Sequence, residues 1–414
     1  MRVLWITNTL FPDVCAALSV EKPVVGGWMY AGARSLLNTI PAITMAVAAI
    51  YSGKEMQKME IGDITYYLLP SQNYTNYNIK LEQYWKQVKD DFQPDVVHIH
   101  GTEYAHGLAY VKACGNKNVV VSIQGLVSVY ERYYYGGLSV ANVQKNITLR
   151  DIIRRDTMID QRERMRKRGI LEKEIIRSVA HIIGRTSWDK AQVWALNSNT
   201  QYHFCNETLR SEFYKYQWSF EKCEKCSIFL SQAHYPIKGL QQIIAALPFI
   251  LDHYPQTKVY IAGSDFINKS YLKQNGFGKY IQSQINNLDL KDHIHFLGVL
   301  TESQMCHRYL RSNVFVCPSS IENSPNSIGE AQLLGVPCIG SFVGGVSDMI
   351  DDEETGLLYR FEEVEMLAEK ICRIFSEPTL VNNISKKGKE LSMTRHNGEA
   401  NSFRLAEIYG KVKK

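Results

Sequence analysis

The stretch Pro318-Ser319-Ser320-Ile321-Glu322-Asn323-Ser324-Pro325-Asn326-Ser327-Ile328-Gly329-Glu330-Ala331, followed by Gly335-Val336-Pro337 and then Gly344-Gly345, decides the fold of this chain. The apolar run Val314-Phe315-Val316-Cys317 stops at Pro318, which predicts a short buried strand feeding a polar loop. Asn326 or Ser327 can then cap a helix, because a short polar side chain accepts a hydrogen bond from a backbone N–H that the first turn leaves unpaired. The helix is expected to end at Leu334, with Gly335 supplying the left-handed stop and Pro337 preventing continuation. A helix start offers free N–H donors and the positive end of the dipole, which suits a phosphate group. Pro325 has no N–H, so those donors begin at Asn326 and Ser327. Glu322 lies in the loop and Glu330 about one turn inside the helix, where a carboxylate packed against a sheet calls for a partner or a ligand. Taken singly, each is more readily a capping or solvated residue.

Outward from this stretch, 414 residues exceed what one core usually supports, so two domains are expected. The expected division is 1–218 together with a returning tail 393–414, and 219–392, with the boundary near Trp218 to Lys225. Short apolar runs alternate with helix-period segments, the pattern of parallel α/β units. In the first half the clearest strands are Val3–Thr7, Ile43–Ile50, Val96–His100 and Val119–Ile123. In the second they are Ser227–Ser231, Val259–Gly263, Ile294–Leu297, Val314–Cys317 and Pro337–Ser341, with no strand pattern between Tyr202 and Cys226. The tail reads as one amphipathic helix with Phe403, Leu405, Ile408 and Tyr409 on its apolar side.

A net charge of +5 is too small for a dedicated nucleic-acid binder. The opening Arg2-Val3-Leu4-Trp5-Ile6-Thr7-Asn8 reads as a strand and leaves no room for a signal peptide, and the longest weakly polar run, Ile40 to Tyr51, is too short to span a bilayer, so the expected location is cytoplasmic. Nine scattered cysteines read as reduced core residues, and Cys223-x-x-Cys226 lacks the second pair a zinc site needs. Arg150 to Arg168 holds eight Lys or Arg against four acids, punctuated by Ile152, Ile153, Met158, Ile159 and Met165. That composition fits a solvated helical face, or a helix that lies peripherally on an anionic membrane surface or meets an anionic acceptor.

The Glu322-to-Glu330 segment resembles the Glu-x7-Glu signature of the retaining, GT-B-fold glycosyltransferases of family 4, in which Gly-x-Pro and Gly-Gly follow. The resemblance extends over most of the chain, is strongest from Ser227 to Tyr359, and points to the subset seen in bacterial surface-polysaccharide synthesis through Ile183-Gly184-Arg185-Thr186-Ser187-Trp188-Asp189 and Tyr202-x-x-Cys205-Asn206-Glu207-x-Leu209-Arg210. It implies an α/β architecture of two Rossmann-like domains facing across a cleft, the last helix returning to the first domain. The implied reaction is transfer of a sugar from a nucleotide diphosphate sugar to a saccharide or lipid-linked acceptor with retention, without a metal, and with no cofactor beyond the donor. By the same resemblance Glu322 meets the donor sugar, Glu330 the ribose hydroxyls, and the amides at Asn326 and Ser327 the diphosphate or sugar.

In Ser231-Gln232-Ala233-His234-Tyr235-Pro236-Ile237-Lys238-Gly239, the lysine sits beyond the carboxyl end of a strand, where open α/β sheets bind ligands. Lys238 matches the family's diphosphate lysine. Gln232 stands where relatives carry an arginine, and a neutral amide cannot neutralise phosphate. Arg185 is a candidate replacement, although Arg-Thr at a strand end is equally a structural cap. Gly26-Gly27 follows the first strand and lets backbone approach the donor phosphate or the acceptor. In Val96-Val97-His98-Ile99-His100 the two histidines share a face, so one can be core while the other, His100, reaches the site. Gln124 replaces a histidine that touches the donor sugar in many relatives, leaving an amide that can still hydrogen-bond a hydroxyl. Two other readings stay open, a GT-B sugar-nucleotide epimerase and an inactive nucleotide-sugar-binding protein. A dinucleotide oxidoreductase is disfavoured, because no Gly-x-Gly-x-x-Gly follows the first strand.

Overall fold

The computed structural model describes residues 1–413 except 22, 24, 25, 72–75 and 271. The chain forms two compact units. Unit 1 comprises Met1–Val129, Met165–Leu209 and Arg395–Lys414, and unit 2 comprises Tyr130–Arg164 and Arg210–Thr394. The crossover therefore falls at Leu209 rather than near Trp218, and Tyr130–Arg164 joins the second unit instead of the first. The cause is a set of specific bonds. Thr148 Oγ1 donates to the Gln274 carbonyl at 3.0 Å, the Gly276 N–H to Asp151 Oδ2 at 2.7 Å, and Gln241 Nε2 to the Gly136 carbonyl at 2.7 Å.

Unit 1 is built on eight strands: β1 (Arg2–Thr7), β2 (Thr44–Tyr51), β3 (Gln57–Ile61), β4 (Ile64–Pro70), β5 (Val96–His100), β6 (Val119–Ser122), β7 (His181–Gly184) and β8 (Gln201–Phe204). Their order is β3-β4-β2-β1-β5-β6-β7-β8, parallel except for the β3–β4 hairpin. Alternation along β1 sends Leu4 and Ile6 to one face with Ala46, Ala48, Trp85 and Ile99. Val3 and Trp5 point to the other, with Met45, Val47, Phe11 and Leu36. Both faces are covered, which is why these strands read as unbroken apolar runs. β8 contradicts the expectation of no strand after Tyr202; as an edge strand it buries only His203 and has no apolar run to betray it.

The expected single tail helix is two helices, Pro378–Arg395 and Gly398–Val412, broken where Asn397 caps the second by accepting from the Ala400 N–H. Ile408 and Tyr409 are buried as expected, but Phe403 is 54% exposed, so it does not belong to the apolar side. The returning helix is locked into unit 1 by Tyr409, whose hydroxyl accepts from Trp5 Nε1 at 2.8 Å and bonds His98 Nδ1 at 2.7 Å.

Unit 2 carries β9 (Glu224–Leu230), β10 (Lys258–Ile261), β11 (Ile294–Phe296), β12 (Ser312–Cys317), β13 (Cys338–Ser341) and β14 (Leu357–Tyr359), all parallel, in the order β11-β10-β9-β12-β13-β14. The strand order reverses between β9 and β12, so their carboxyl ends form the switch point at which such sheets open a crevice. The loops that begin there are Ser231–Gly239 and Pro318–Pro325. In unit 1 the equivalent reversal lies between β1 and β5, at Thr7 and His100.

Candidate active site

In unit 2 the helix after β12 spans Asn326–Leu334, and Gly335 stops it at φ 78°, as read from the sequence. The cap differs. Pro325 occupies the N-cap position with no side-chain hydrogen bond, and Asn326 and Ser327 are the first two helical residues, because an extended residue must precede the turn and proline's fixed φ suits that place. Their N–H groups belong to the first turn, where no carbonyl of the helix itself faces them.

Glu322 is 8% exposed. Its Oε1 accepts from Lys238 Nζ at 2.5 Å and from Ser319 Oγ at 2.8 Å. Two glycines make this placement possible. Gly239, at φ 74°, lies so close to the strand end that a Cβ would stand 1.7 Å from the Pro318 carbonyl oxygen, which seats the lysine loop on the glutamate loop. Gly344, at φ 53°, does the same from the other side, since its Cβ would meet the Glu322 carbonyl oxygen at 1.9 Å, while the Gly345 N–H donates to that oxygen at 3.0 Å. Burial alone would pull the Lys238 pKa down, but Glu322 and then Tyr235 outweigh it and raise it, so the lysine stays protonated.

Glu330 is 6% exposed, and its Oε1 accepts from both Nε and Nη2 of Arg210 at 2.7 Å. Burial pushes its carboxyl up to about 7, with Arg210 acting against the rise. The guanidinium also lies 4.7 Å over the Phe213 ring. Arg210 is the residue that reading the sequence did not assign to this site, since its partner is 120 positions away and only the need of a buried carboxylate for a cation hints at it. Gln232 is exposed at the start of the Lys238 loop.

At the strand ends of unit 1, Gly26 is the N-cap of the Gly27–Thr39 helix. His98 is structural, bonded to Tyr409 and Ser122, whereas His100 is 3% exposed with no hydrogen-bond partner for either ring nitrogen among the described residues. Burial lowers the His100 pKa to about 3, so the ring is neutral. It packs at a tilt against the rings of Trp5 at 4.3 Å, His98 at 3.8 Å and Trp28 at 5.9 Å, on the wall of a cavity of about 50 Å³ that Arg185, Asn206 and Glu207 also line.

Arg185 is 4% exposed and spent within unit 1. It is ion-paired with Glu207, and its Nη2 donates to the Gln124 carbonyl at 3.1 Å and to Gln124 Oε1 at 3.3 Å, while Gln124 Nε2 donates to Glu207 Oε1 at 2.8 Å. The next residue, Thr186, caps the Ser187–Leu196 helix through a capping box with Asp189. The structural alternative for Arg-Thr therefore has direct geometric support, and the guanidinium is already neutralised by a carboxylate. Glu103, beyond β5, is a further group the sequence did not single out: burial pushes its carboxyl up to about 7, and its Oε2 has no partner among the described residues.

Residues 211–391, less than half of the chain, match the family described as Glycosyl transferases group 1. The N-acetyl-alpha-D-glucosaminyl L-malate synthase of Bacillus anthracis is 21% identical over 249 residues, 59% of this chain and 61% of that protein. Alignments to this and two other curated relatives span 38% to 61% of the relatives' own lengths. Among solved structures, sucrose-phosphate synthase from Thermosynechococcus elongatus superposes with a TM-score of 0.74 at 17% identity, covering 100% of this chain and 99% of that one. Anabaena HepE in complex with UDP-glucose gives 0.66 at 13%, covering 99% and 100%. The fold is the GT-B type, with two parallel-sheet domains, and unit 2 carries a domain of the glycosyl transferases group 1 kind.

Proposed function

We propose that this chain is a retaining glycosyltransferase that moves a sugar from a nucleotide diphosphate sugar to a saccharide or lipid-linked saccharide acceptor, in the synthesis of a bacterial surface polysaccharide. The observation that carries the reading is the pair of buried carboxylate–cation contacts, Glu322 with Lys238 and Glu330 with Arg210, set at the switch point of the unit 2 sheet beside a helix N-terminus. Glu330 binds the ribose hydroxyls, Glu322 orients the transferred sugar, and the amides of Asn326 and Ser327 face the diphosphate. As the glycosidic bond to phosphate breaks, negative charge grows on the leaving oxygens, and Lys238 together with those N–H donors stabilises it in a site already shaped for it. This supply of positive charge from the protein favours a metal-independent reaction. In unit 1, Gly27 is assigned to the donor phosphate, and Gly26, His100 and Gln124 to the acceptor or the sugar.

The UDP-glucose bound to HepE supports a nucleotide sugar as donor. Incubation of the purified protein with UDP-, GDP- and ADP-sugars and a set of saccharide acceptors tests the proposal, with the anomeric configuration of the product read by NMR. Transfer with retention is the expected result. An epimerised free sugar nucleotide, an inverted product, or nucleotide binding without turnover on any acceptor would each overturn it.

A further inference from the structure

Arg150 to Arg168 does not form the single basic helix its composition suggests. Leu149–Arg154 is a six-residue helix, Arg155 turns left-handed at φ 49°, and a second helix begins at Met158. Part of the positive charge is also satisfied internally. Arg150 reaches Asp151 and Asp156 at 2.9 and 2.8 Å, Arg164 reaches Asp156 at 2.5 Å, and Arg168 Nε donates to the Glu103 carbonyl at 2.8 Å.

What faces outward is more specific than a basic surface. Leu149, Ile152 and Ile153 stand at i, i+3 and i+4, one stripe of a helix, and they are 49%, 61% and 73% exposed. Arg154 and Arg155 are exposed at the end of the stripe, and Val140, on the preceding Val140–Lys145 helix, is 60% exposed with Lys145 exposed on the same short element. A helix this short does not persist alone in water. It persists here because its inner side is fastened. Thr148 and Asp151 form a capping box, Asp151 is 1% exposed and accepts from the Gly276 N–H at 2.7 Å, and Thr148 Oγ1 donates to the Gln274 carbonyl. Buried hydrogen bonds thus hold three aliphatic side chains out in solvent, the reverse of the usual amphipathic arrangement.

The chemistry of that ridge selects its partner. Asp151 and Asp156 are matched by Arg150 and Arg164, so Arg154 and Arg155 leave the charge beside the stripe positive. Aliphatic side chains flanked by arginines match a surface that is apolar within and anionic at its face. A ridge of one and a half turns is also smaller than a stable protein contact needs, about 1,200 Å² of total buried surface, whereas adsorption to a bilayer grows in small increments of buried apolar area and charge. We propose that the Leu149–Arg154 helix docks this chain on an anionic lipid surface, with Leu149, Ile152 and Ile153 entering the boundary between headgroups and acyl chains and Arg154 and Arg155 meeting the lipid phosphates.

The test is flotation of the full chain with vesicles of phosphatidylcholine alone and of phosphatidylcholine mixed with phosphatidylglycerol. It uses no donor or acceptor and so is independent of whether the chain transfers sugar. The wild type is expected to float with the anionic vesicles, less so at high salt. Ile152→Ser/Ile153→Ser and Arg154→Gln/Arg155→Gln should each lower partitioning about tenfold or more. Their thermal melts should match the wild type, because all four positions are exposed. A wild type that stays soluble with both vesicle types, or pairs that float as well as the wild type, would overturn the proposal. So would an Ile152→Ser/Ile153→Ser protein that loses self-association in sedimentation while keeping its vesicle binding, since a second copy would then be what covers the stripe.

Discussion

At the scale of single residues, the two glutamates are held by different cations, Glu322 by Lys238 and Glu330 by Arg210, and Glu330 should answer to pH near neutrality. Glu330 has a folded pKa near 7, above its ordinary 4.5. If the ionised form accepts the ribose hydroxyls, nucleotide affinity should climb as pH rises through 7. Arg210→Met removes the charge that opposes the upward shift and should move that climb to higher pH; calorimetric titration of nucleotide across pH reads both. Glu330→Ala should weaken binding by about 1.5–3 kcal/mol at high pH, the worth of hydrogen bonds to a charged group. Stability has the opposite slope. The folded state holds this proton more tightly than the unfolded chain between pH 4.5 and about 7, so folding is favoured at the low end and loses that contribution as pH rises through 7, a slope that Glu330→Gln should remove. Lys238→Ala should cost turnover about 2.7–4 kcal/mol if the lysine stabilises the leaving phosphate, and steady-state kinetics of the folded variant checks it. Arg185→Ala, by contrast, is expected to lower the melting temperature, since it takes the cation away from Glu207, whose side chain is 10% exposed, at a cost of up to about 3–5 kcal/mol. A folded, thermally normal Arg185 variant with lost turnover would instead favour a role at the diphosphate.

Among the secondary-structure elements, the legible ones were those whose punctuation is local. β12, the Asn326–Leu334 helix and its Gly335 stop are written within two dozen residues by an apolar run, a proline, a capping region and a glycine. β3 escaped notice because Gln57–Ile61 alternates half-buried and exposed positions, and β8 because only His203 is buried along it, while β4 and β14 were missed although most of their residues are buried. The site followed the same division. Glu322 and Lys238 stand in the strand-end loops and Glu330 in the helix that follows, each with diagnostic neighbours, while Arg210 and the Arg185–Gln124–Glu207 network depend on contacts between distant segments that no spacing reveals. The Gly344-Gly345 pair was visible as a motif, but its purpose was not. The structure shows a backbone approach to Glu322 that excludes any side chain. Gly344→Ala should therefore destabilise the protein by about 1–3 kcal/mol through the strained φ and clash, and should lower turnover more than nucleotide affinity because the displaced residue is Glu322. Equal loss of both, measured by kinetics and calorimetry, would count against that specificity.

For the whole molecule, the feature with the longest reach is the closure of unit 1 by the Gly398–Val412 helix. Ile408 and Tyr409 are fully buried and Val412 is 5% exposed against the face of the sheet that carries Val3 and Trp5. Burial of each such side chain is worth about 1.5–3 kcal/mol, so together they approach the net stability of a whole domain, about 5–15 kcal/mol. Removing 398–414, which belongs to unit 1, should leave unit 1 largely unfolded while unit 2 keeps its protection in hydrogen exchange.

The bond between Trp5 and Tyr409 joins residues 404 positions apart. On a ribosome adding about 5–20 residues each second, the strand made first must wait roughly 20–80 s for the helix that completes it. Until then one apolar face of its sheet lacks its cover, and the nascent chain is at its most vulnerable to aggregation and to chaperone capture during that interval.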